Sequence, residues 1–202
     1  MTIEGGEGAG KSTLLAALLE RARAGAADVV SCREPGGTSL GEQLREALLG
    51  ATTAPDARAE LLIFAAARAQ LVAEVIRPAL ARGAIVLCDR YADSTVAYQH
   101  HGRKIMRAAV EAANAVATGG LAPTLTLLLD LAPEAGLRRA GRAGDYFERE
   151  RLEFHERVRA GYLELARAEP ARWRVLDAEQ PAAPLAEAAW AELAKAAGLT
   201  AS

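Results

Sequence analysis

The sequence predicts an α/β fold of three layers, with a parallel sheet of five strands flanked by helices. Three observations carry this expectation. Short apolar runs without polar alternation recur along the chain, as strands covered on both faces require. Helical stretches separate these runs one by one, and parallel neighbours need such crossovers. Between the first strand and the first helix stands the octet Gly5-Gly6-Glu7-Gly8-Ala9-Gly10-Lys11-Ser12. It fills the pattern Gly, four residues, Gly-Lys-Ser, in the strand–loop–helix setting that marks a phosphate-binding loop.

The elements follow in order. Met1-Thr2-Ile3 opens the first strand, and a helix runs from Lys11. Residues 28–32 form the second strand, and the Gly36-Gly37 turn leads to a helix from Leu40. A long helical stretch covers 57–82, with a kink expected at Pro78, whose ring blocks the helical ladder. Residues 85–88 are a continuous apolar strand, and 104–118 a helix stopped by Gly119-Gly120. A further strand covers 125–131, with helices at 133–140 and 148–168. The strand 173–176 and a helix over 185–197 complete the chain. There is no internal repeat and no linker. One domain over 1–202 is therefore expected, with a mobile lid at about 136–149.

Composition narrows the class. The 202 residues are 51% hydrophobic with net charge −2, which suits one well-filled domain. That charge gives no case for nucleic acid or a membrane surface as partner. No apolar stretch approaches a membrane span, and no leader is expected before the phosphate loop. Cys32 and Cys88 lie in separate apolar strands, consistent with buried free thiols in a reducing cytoplasm. His100, His101 and His155 show no metal-ligand spacing.

The loop chemistry is specific. Glycines let successive N–H groups form a nest around phosphate oxygens, and the helix beginning there adds its positive end. Gly5, Gly6, Glu7, Gly8, Ala9, Gly10 and Thr13 thus belong to the triphosphate site. Lys11 reaches the terminal phosphates, and the Ser12 hydroxyl holds magnesium. A bare glycine-rich turn would not require Gly10-Lys11-Ser12.

The rest of the chain selects among phosphate-loop proteins. There is no Asn-Lys-x-Asp segment to read guanine, no Asp-x-x-Gly, and no Leu-Ser-Gly-Gly transporter signature. Two segments instead follow strands on the loop side of the sheet, where open parallel sheets bind ligands. They are Arg33-Glu34-Pro35-Gly36-Gly37-Thr38 and Asp89-Arg90-Tyr91. Asp89 is placed to hold magnesium through water and Arg90 to reach phosphate; a solvated ion pair is the alternative. Phe64 and Arg68 share a helix face, where a ring and a guanidinium can stack and read a base. Phe64 also fits a core stripe with Leu61 and Leu71. Thr95 and Tyr98, with Gln99 beside them, form a polar face.

Over nearly its whole length the chain resembles the thymidylate kinases. The resemblance rests on Glu4 through Ser12, Arg33 through Thr38, the helix from Phe64 to Gln70, and Asp89-Arg90-Tyr91 with Ser94, Thr95, Tyr98 and Gln99. It implies transfer of the γ-phosphoryl of MgATP to dTMP, with Mg2+ as cofactor, in a cytoplasmic homodimer. By resemblance, Glu7 contacts the 3′-hydroxyl of dTMP and Arg90 clamps its phosphate, with Arg33 or Arg68 nearby. Phe64 stacks thymine, Arg68 and Thr95 read its edge, Tyr98 crowds the 2′ position, and Pro35 shapes the floor. Ser94 and Gln99 complete that side. The segment 177–180, with Gln180, walls the adenine, and Arg138 and Arg139 pack near it or face solvent. Some members carry a basic residue inside the phosphate loop, whereas others bring arginines from a lid. Gly8 implies the second arrangement. Tyr146 stands where the family commonly has arginine, so the closing group falls to Arg142, with Arg149 as the alternative. The rival readings are another nucleoside monophosphate or deoxynucleoside kinase, and a regulatory module that binds ATP without transferring phosphate.

Overall fold

A computed structural model describes residues 1–25, 27–51, 53–141, 147 and 150–199. Five parallel strands form one sheet: β1 (Thr2–Gly5), β2 (Val29–Arg33), β3 (Ile85–Asp89), β4 (Thr126–Asp130) and β5 (Trp173–Asp177), in the order β2-β3-β1-β4-β5. The expected layers and strand count are both present. β1 sits in the middle, with Ile3 opposite Asp89 on β3 and Leu127 on β4. The register fixes the faces, because side chains alternate along a strand. Ile3, Leu87, Leu127 and Leu129 pack against Leu14 and Leu18 of α1 (Lys11–Ala24) and Trp190 and Leu193 of α9 (Ala182–Ala197). Leu128 faces the opposite layer. There it meets the cluster built by α3 (Ala57–Leu71), α6 (Arg107–Thr118) and α8 (Leu152–Ala168).

The long helix predicted over 57–82 is interrupted, but not by a simple proline kink. α3 passes into a π-helical turn, Val72–Ile76, before α4 (Arg77–Ala81), and the Arg77 N–H reaches back to the Val72 carbonyl. Pro78 has no N–H to give and its ring crowds the carbonyl four residues earlier. Widening the preceding turn to i→i+5 bonding absorbs that defect. A second π turn, Val96–Gly102, follows the short α5 (Ala92–Thr95). α2 (Ser39–Leu49) is capped by the Thr38 hydroxyl, which accepts the Gly41 N–H. α7 (Pro133–Ala140) follows β4, and Gly119, at φ 56, ends α6 as predicted. The carboxyl ends of β1, β2 and β3 all open on one side of the sheet, which places the phosphate loop, Arg33 and Asp89 together.

Candidate functional site

One cavity of about 470 Å³ lies at these strand ends. It runs from Gly8, Gly10, Lys11, Ser12 and Thr13 to Pro35, Phe64 and Thr95. The phosphate loop therefore shares one chamber with the segments after β2 and β3. Gly10 caps α1 in the left-handed region, at φ 92, a conformation glycine adopts without steric cost. Lys11 Nζ donates to the Gly6 carbonyl at 2.7 Å and the Gly5 carbonyl at 3.2 Å. Burial and then the neighbouring Arg90 lower its pKa, against Glu7 and Asp89, to about 8.

Arg90 is the hub of the far wall. Its backbone is left-handed, at φ 68, which is uncommon for a residue with a Cβ. Nη2 donates to Glu7 Oε1 at 2.8 Å, and Nη1 to the Gly5 carbonyl at 3.0 Å and Tyr162 OH at 3.2 Å. The guanidinium lies over the Tyr98 ring at 5.0 Å. Tyr98 OH donates to the same Glu7 oxygen at 2.6 Å. Burial pushes the Glu7 carboxyl up, yet Arg90, Lys11 and the Tyr98 hydrogen bond outweigh it and hold the pKa at about 2. Glu7 is thus charged at any ordinary pH. An acid inside an anion-binding loop is tolerated because two cations and a hydroxyl surround it.

Ser12 Oγ donates to Asp89 Oδ2 at 3.2 Å. A hydroxyl and a carboxylate at the loop are hard oxygen donors, the type that holds magnesium jointly with substrate phosphates. Among the described residues no cluster of three or more His, Cys, Asp or Glu could hold a metal alone.

The end of the cavity away from the phosphate loop is lined by Leu49, Phe64, Thr95, Gln99 and Phe147. Phe64 and Phe147 are tilted rings 5.9 Å apart, and Tyr98 meets Phe147 edge-on at 5.5 Å. Phe64 both lines the cavity and packs on the core, so neither reading excludes the other. Thr95 Oγ1 is buried without a hydrogen-bond partner among the described residues. Such a group costs stability unless a ligand satisfies it. Gln99 Nε2 donates to the buried Glu60 at 2.7 Å, which orients the amide beside the cavity.

Several expected site residues sit elsewhere. Arg68 does not line the cavity; it is fully buried, and Nη2 and Nε donate to Glu34 at 2.5 and 2.8 Å while Nη1 donates to Asn114 at 2.7 Å. Helix spacing placed it on the Phe64 face, but the buried Glu34 carboxylate draws the guanidinium under the pocket. Arg33 lines the cavity rim, tied to Glu42 at 3.0 Å. Of the two arginines expected near the adenine or in solvent, Arg138 is exposed and away from the cavity, whereas Arg139 lines it and donates to the Ala178 carbonyl at 3.0 Å. Gly136 faces the phosphate loop, and Arg139, three residues on, shares that helix face. Gln180 is exposed outside the cavity, though Ala178 in the same turn makes the Arg139 contact. Arg142 and Arg149 lie outside the described residues.

Arg45, Leu49 and Phe147 line the cavity without having been singled out. Arg45 Nη1 donates to the Pro35 carbonyl at 3.0 Å. Only its position one helical turn before Leu49 could have suggested it. The absence of a side chain at position 8 has a packing cause. A Cβ on Gly8, at φ 65, would stand 2.0 Å from the Gly136 carbonyl oxygen. The backbone of α7 therefore lies directly against the loop, and no basic side chain fits there.

The comparisons agree with this geometry. A family model described as thymidylate kinase matches residues 3–188. A thymidylate kinase of Deinococcus radiodurans is 51% identical over 197 residues, with 96% of each chain covered. One from Solidesulfovibrio magneticus is 51% identical over 205 residues, covering 96% of this chain and 98% of that one. The crystal structure of a thymidylate kinase from Ehrlichia chaffeensis superposes with a TM-score of 0.71 at 34% identity, over 87% of this chain and 90% of the other. With a phosphate loop, Arg90 and an aromatic pocket in one cavity, and with these matches along its length, the chain belongs to the thymidylate kinase family.

Proposed function

We propose that the protein transfers the γ-phosphoryl group of ATP to dTMP, giving dTDP and ADP. The single observation that carries this reading is the continuous cavity, which joins the phosphate loop to a pocket holding Phe64 and the unpartnered Thr95 hydroxyl. Donor and acceptor can meet there in line. Incubation with ATP, magnesium and each nucleoside monophosphate in turn, followed by ADP, tests it: dTMP gives the highest kcat/KM, and no turnover with any monophosphate would leave only ATP binding.

Phosphoryl transfer asks little covalent chemistry of the protein, so positioning and neutralisation of charge dominate. The loop N–H groups and Lys11 bind the donor phosphates. Ser12 and Asp89 would hold magnesium, which supplies charge neutralisation between donor phosphates. Arg90 binds the acceptor phosphate, and Glu7, held between Arg90 and Tyr98, receives the 3′-hydroxyl. Tyr98, whose ring lies under Arg90, faces the 2′ position. Thymine stacks on Phe64 and bonds Thr95. Arg139 and the turn at Ala178 bound the adenine side. The arginine that closes over the moving phosphoryl is Arg142 or Arg149, within a lid at about 136–149 on the single domain. α3 and α6, which pack together and expose Leu62 and Val116, serve as the contact face of a homodimer. No described helix is long and apolar enough to cross a membrane; the compartment proposed, from the family resemblance, is the cytoplasm.

Two outcomes separate the acceptor from the donor side. Phe64→Ala raises the dTMP dissociation constant about tenfold to a hundredfold, since base–aromatic stacking is worth roughly 1–3 kcal/mol. ATP affinity, read by the same titration calorimetry, stays within twofold. Equal weakening of both would make Phe64 a core residue only. Glu7→Gln lowers turnover with dTMP and leaves ATP binding equal or tighter, because a carboxylate beside a triphosphate repels it. A weaker ATP complex with unaltered dTMP kinetics would move Glu7 to the donor side.

A further inference from the structure

We propose that Glu4 is the positioning residue that fixes the Arg90 guanidinium for the acceptor, acting through the hydroxyls of Ser94 and Tyr162. The inference rests on the reading of Arg90 as the acceptor clamp. Glu4 lies on the central strand, fully buried, a place where an acid is costly unless its oxygens are satisfied. No ion pair satisfies it among the described residues. Three donors do. Oε1 accepts the Tyr91 N–H at 2.8 Å, and Oε2 accepts Ser94 Oγ at 2.6 Å and Tyr162 OH at 3.0 Å. All three belong to the surroundings of Arg90.

The Tyr91 N–H follows the left-handed Arg90 directly, so its bond to Glu4 pins the turn that aims the guanidinium. The hydroxyls act on the other end. Ser94 donates to Glu4, and the Tyr162 proton lies between Ser94 and Glu4, since the two hydroxyl oxygens are 2.7 Å apart. Both oxygens therefore turn lone pairs toward Arg90 Nη1, at 3.4 Å from Ser94 and 3.2 Å from Tyr162. A charged carboxylate can only accept, and this polarity is what it imposes. Had Glu4 been a donor, one hydroxyl would reverse and point its proton at the guanidinium.

The groups facing Glu4 are Asp93 of α5, Arg90 of the β3–α5 turn, Tyr162 of α8, Lys11 of α1 and Cys88 of β3. Arg172 stands behind Asp93 as its ion-pair partner at 2.7 Å. Burial and then Asp93 raise the Glu4 carboxyl to about 7, against Ser94, Arg90 and Tyr162. Proton loss near neutrality restores the accepting state, so kcat/KM for dTMP climbs with pH through this range.

The test combines three variants, steady-state kinetics and a pH profile. Glu4→Gln keeps size but adds a donor. It lowers kcat/KM for dTMP about 10–100-fold, the scale of one charge-assisted hydrogen bond lost in a buried site. KM for ATP stays within about twofold, and the climb near pH 7 flattens. Tyr162→Phe lowers the same dTMP parameter about 3–10-fold, and it decides the matter alone if Glu4→Gln does not fold. In an Arg90→Ala background, neither change has a further effect, as coupled residues require. Wild-type dTMP kinetics in the folded variants, or an equal loss toward ATP, would overturn the role of Glu4 while the Arg90 clamp stands. Wild-type dTMP kinetics in Arg90→Ala itself would remove the clamp, and this inference with it.

Discussion

Replacing Arg90 by alanine lowers kcat/KM for dTMP by about 10³–10⁵-fold, the range a transition-state guanidinium supplies in phosphoryl transfer. Every contact of this side chain points to one task. Nη1 is anchored to the Gly5 carbonyl and the two hydroxyls, and Nη2 to Glu7, which leaves the cavity face of the guanidinium for an anion. The truncation also strips Glu7 of its nearest cation, so the carboxyl pKa rises from about 2 toward its ordinary value. The stability linked to Glu7 follows the same logic. Its depressed folded pKa contributes stability above the unfolded pKa of 4.5, and this is lost as pH falls toward about 2. Arg90→Lys restores charge without the two-ended fork and recovers only part of the rate. Rates with saturating ATP and varied dTMP check this. A loss smaller than about tenfold would mean that Lys11 and the lid carry the charge without Arg90.

Replacing Arg68 by alanine unfolds the protein more easily, by about 3–5 kcal/mol, because it leaves a buried carboxylate without its partner. Arg68 and Glu34 are 1% and 3% exposed, with Nη2–Oε2 at 2.5 Å. Glu34 lines the cavity beside Pro35, so the ion pair props the pocket from beneath. Urea denaturation measures the loss. Burial already raises the Glu34 pKa against the pull of Arg68. Without Arg68 the folded carboxyl binds its proton more tightly than the unfolded one, so the variant gains stability as pH falls toward 4.5. Adding Glu34→Gln to Arg68→Ala removes the unpaired charge and recovers part of the loss. A deficit under 1 kcal/mol, with no pH dependence, would show that water reaches the pair and that its burial carries little weight.

The contrast between these two arginines marks where sequence reasoning ends. The phosphate loop is legible from eight contiguous residues because its chemistry is local: glycines supply the backbone geometry, and Lys11 and Ser12 are fixed to it by the helix that starts there. The five strands are legible too, since apolar runs buried on both faces leave little else for 85–88 or 125–131 to be. Strand ends then place Arg33 and Asp89 on the loop side without reference to any side-chain contact. Tertiary packing decided the rest. Arg68 shares a helical phase with Phe64, but a carboxylate from another element, 34 residues away in sequence, took its guanidinium. Of Arg138 and Arg139, which the sequence could not tell apart, the second lines the cavity, on the same helix face as Gly136, whose carbonyl oxygen lies 2.0 Å from where a Gly8 Cβ would stand. The π turn at 72–76 accommodates Pro78, and hydrophobic periodicity encodes neither it nor the π turn at 96–102. Glu4 is a letter of the motif in sequence and a buried hub in space. By itself the sequence determined the chain path and the phosphate chemistry, because both depend on neighbours along the backbone. Only the tertiary structure decided which charges meet, because a buried charge turns to whatever partner packing brings within reach.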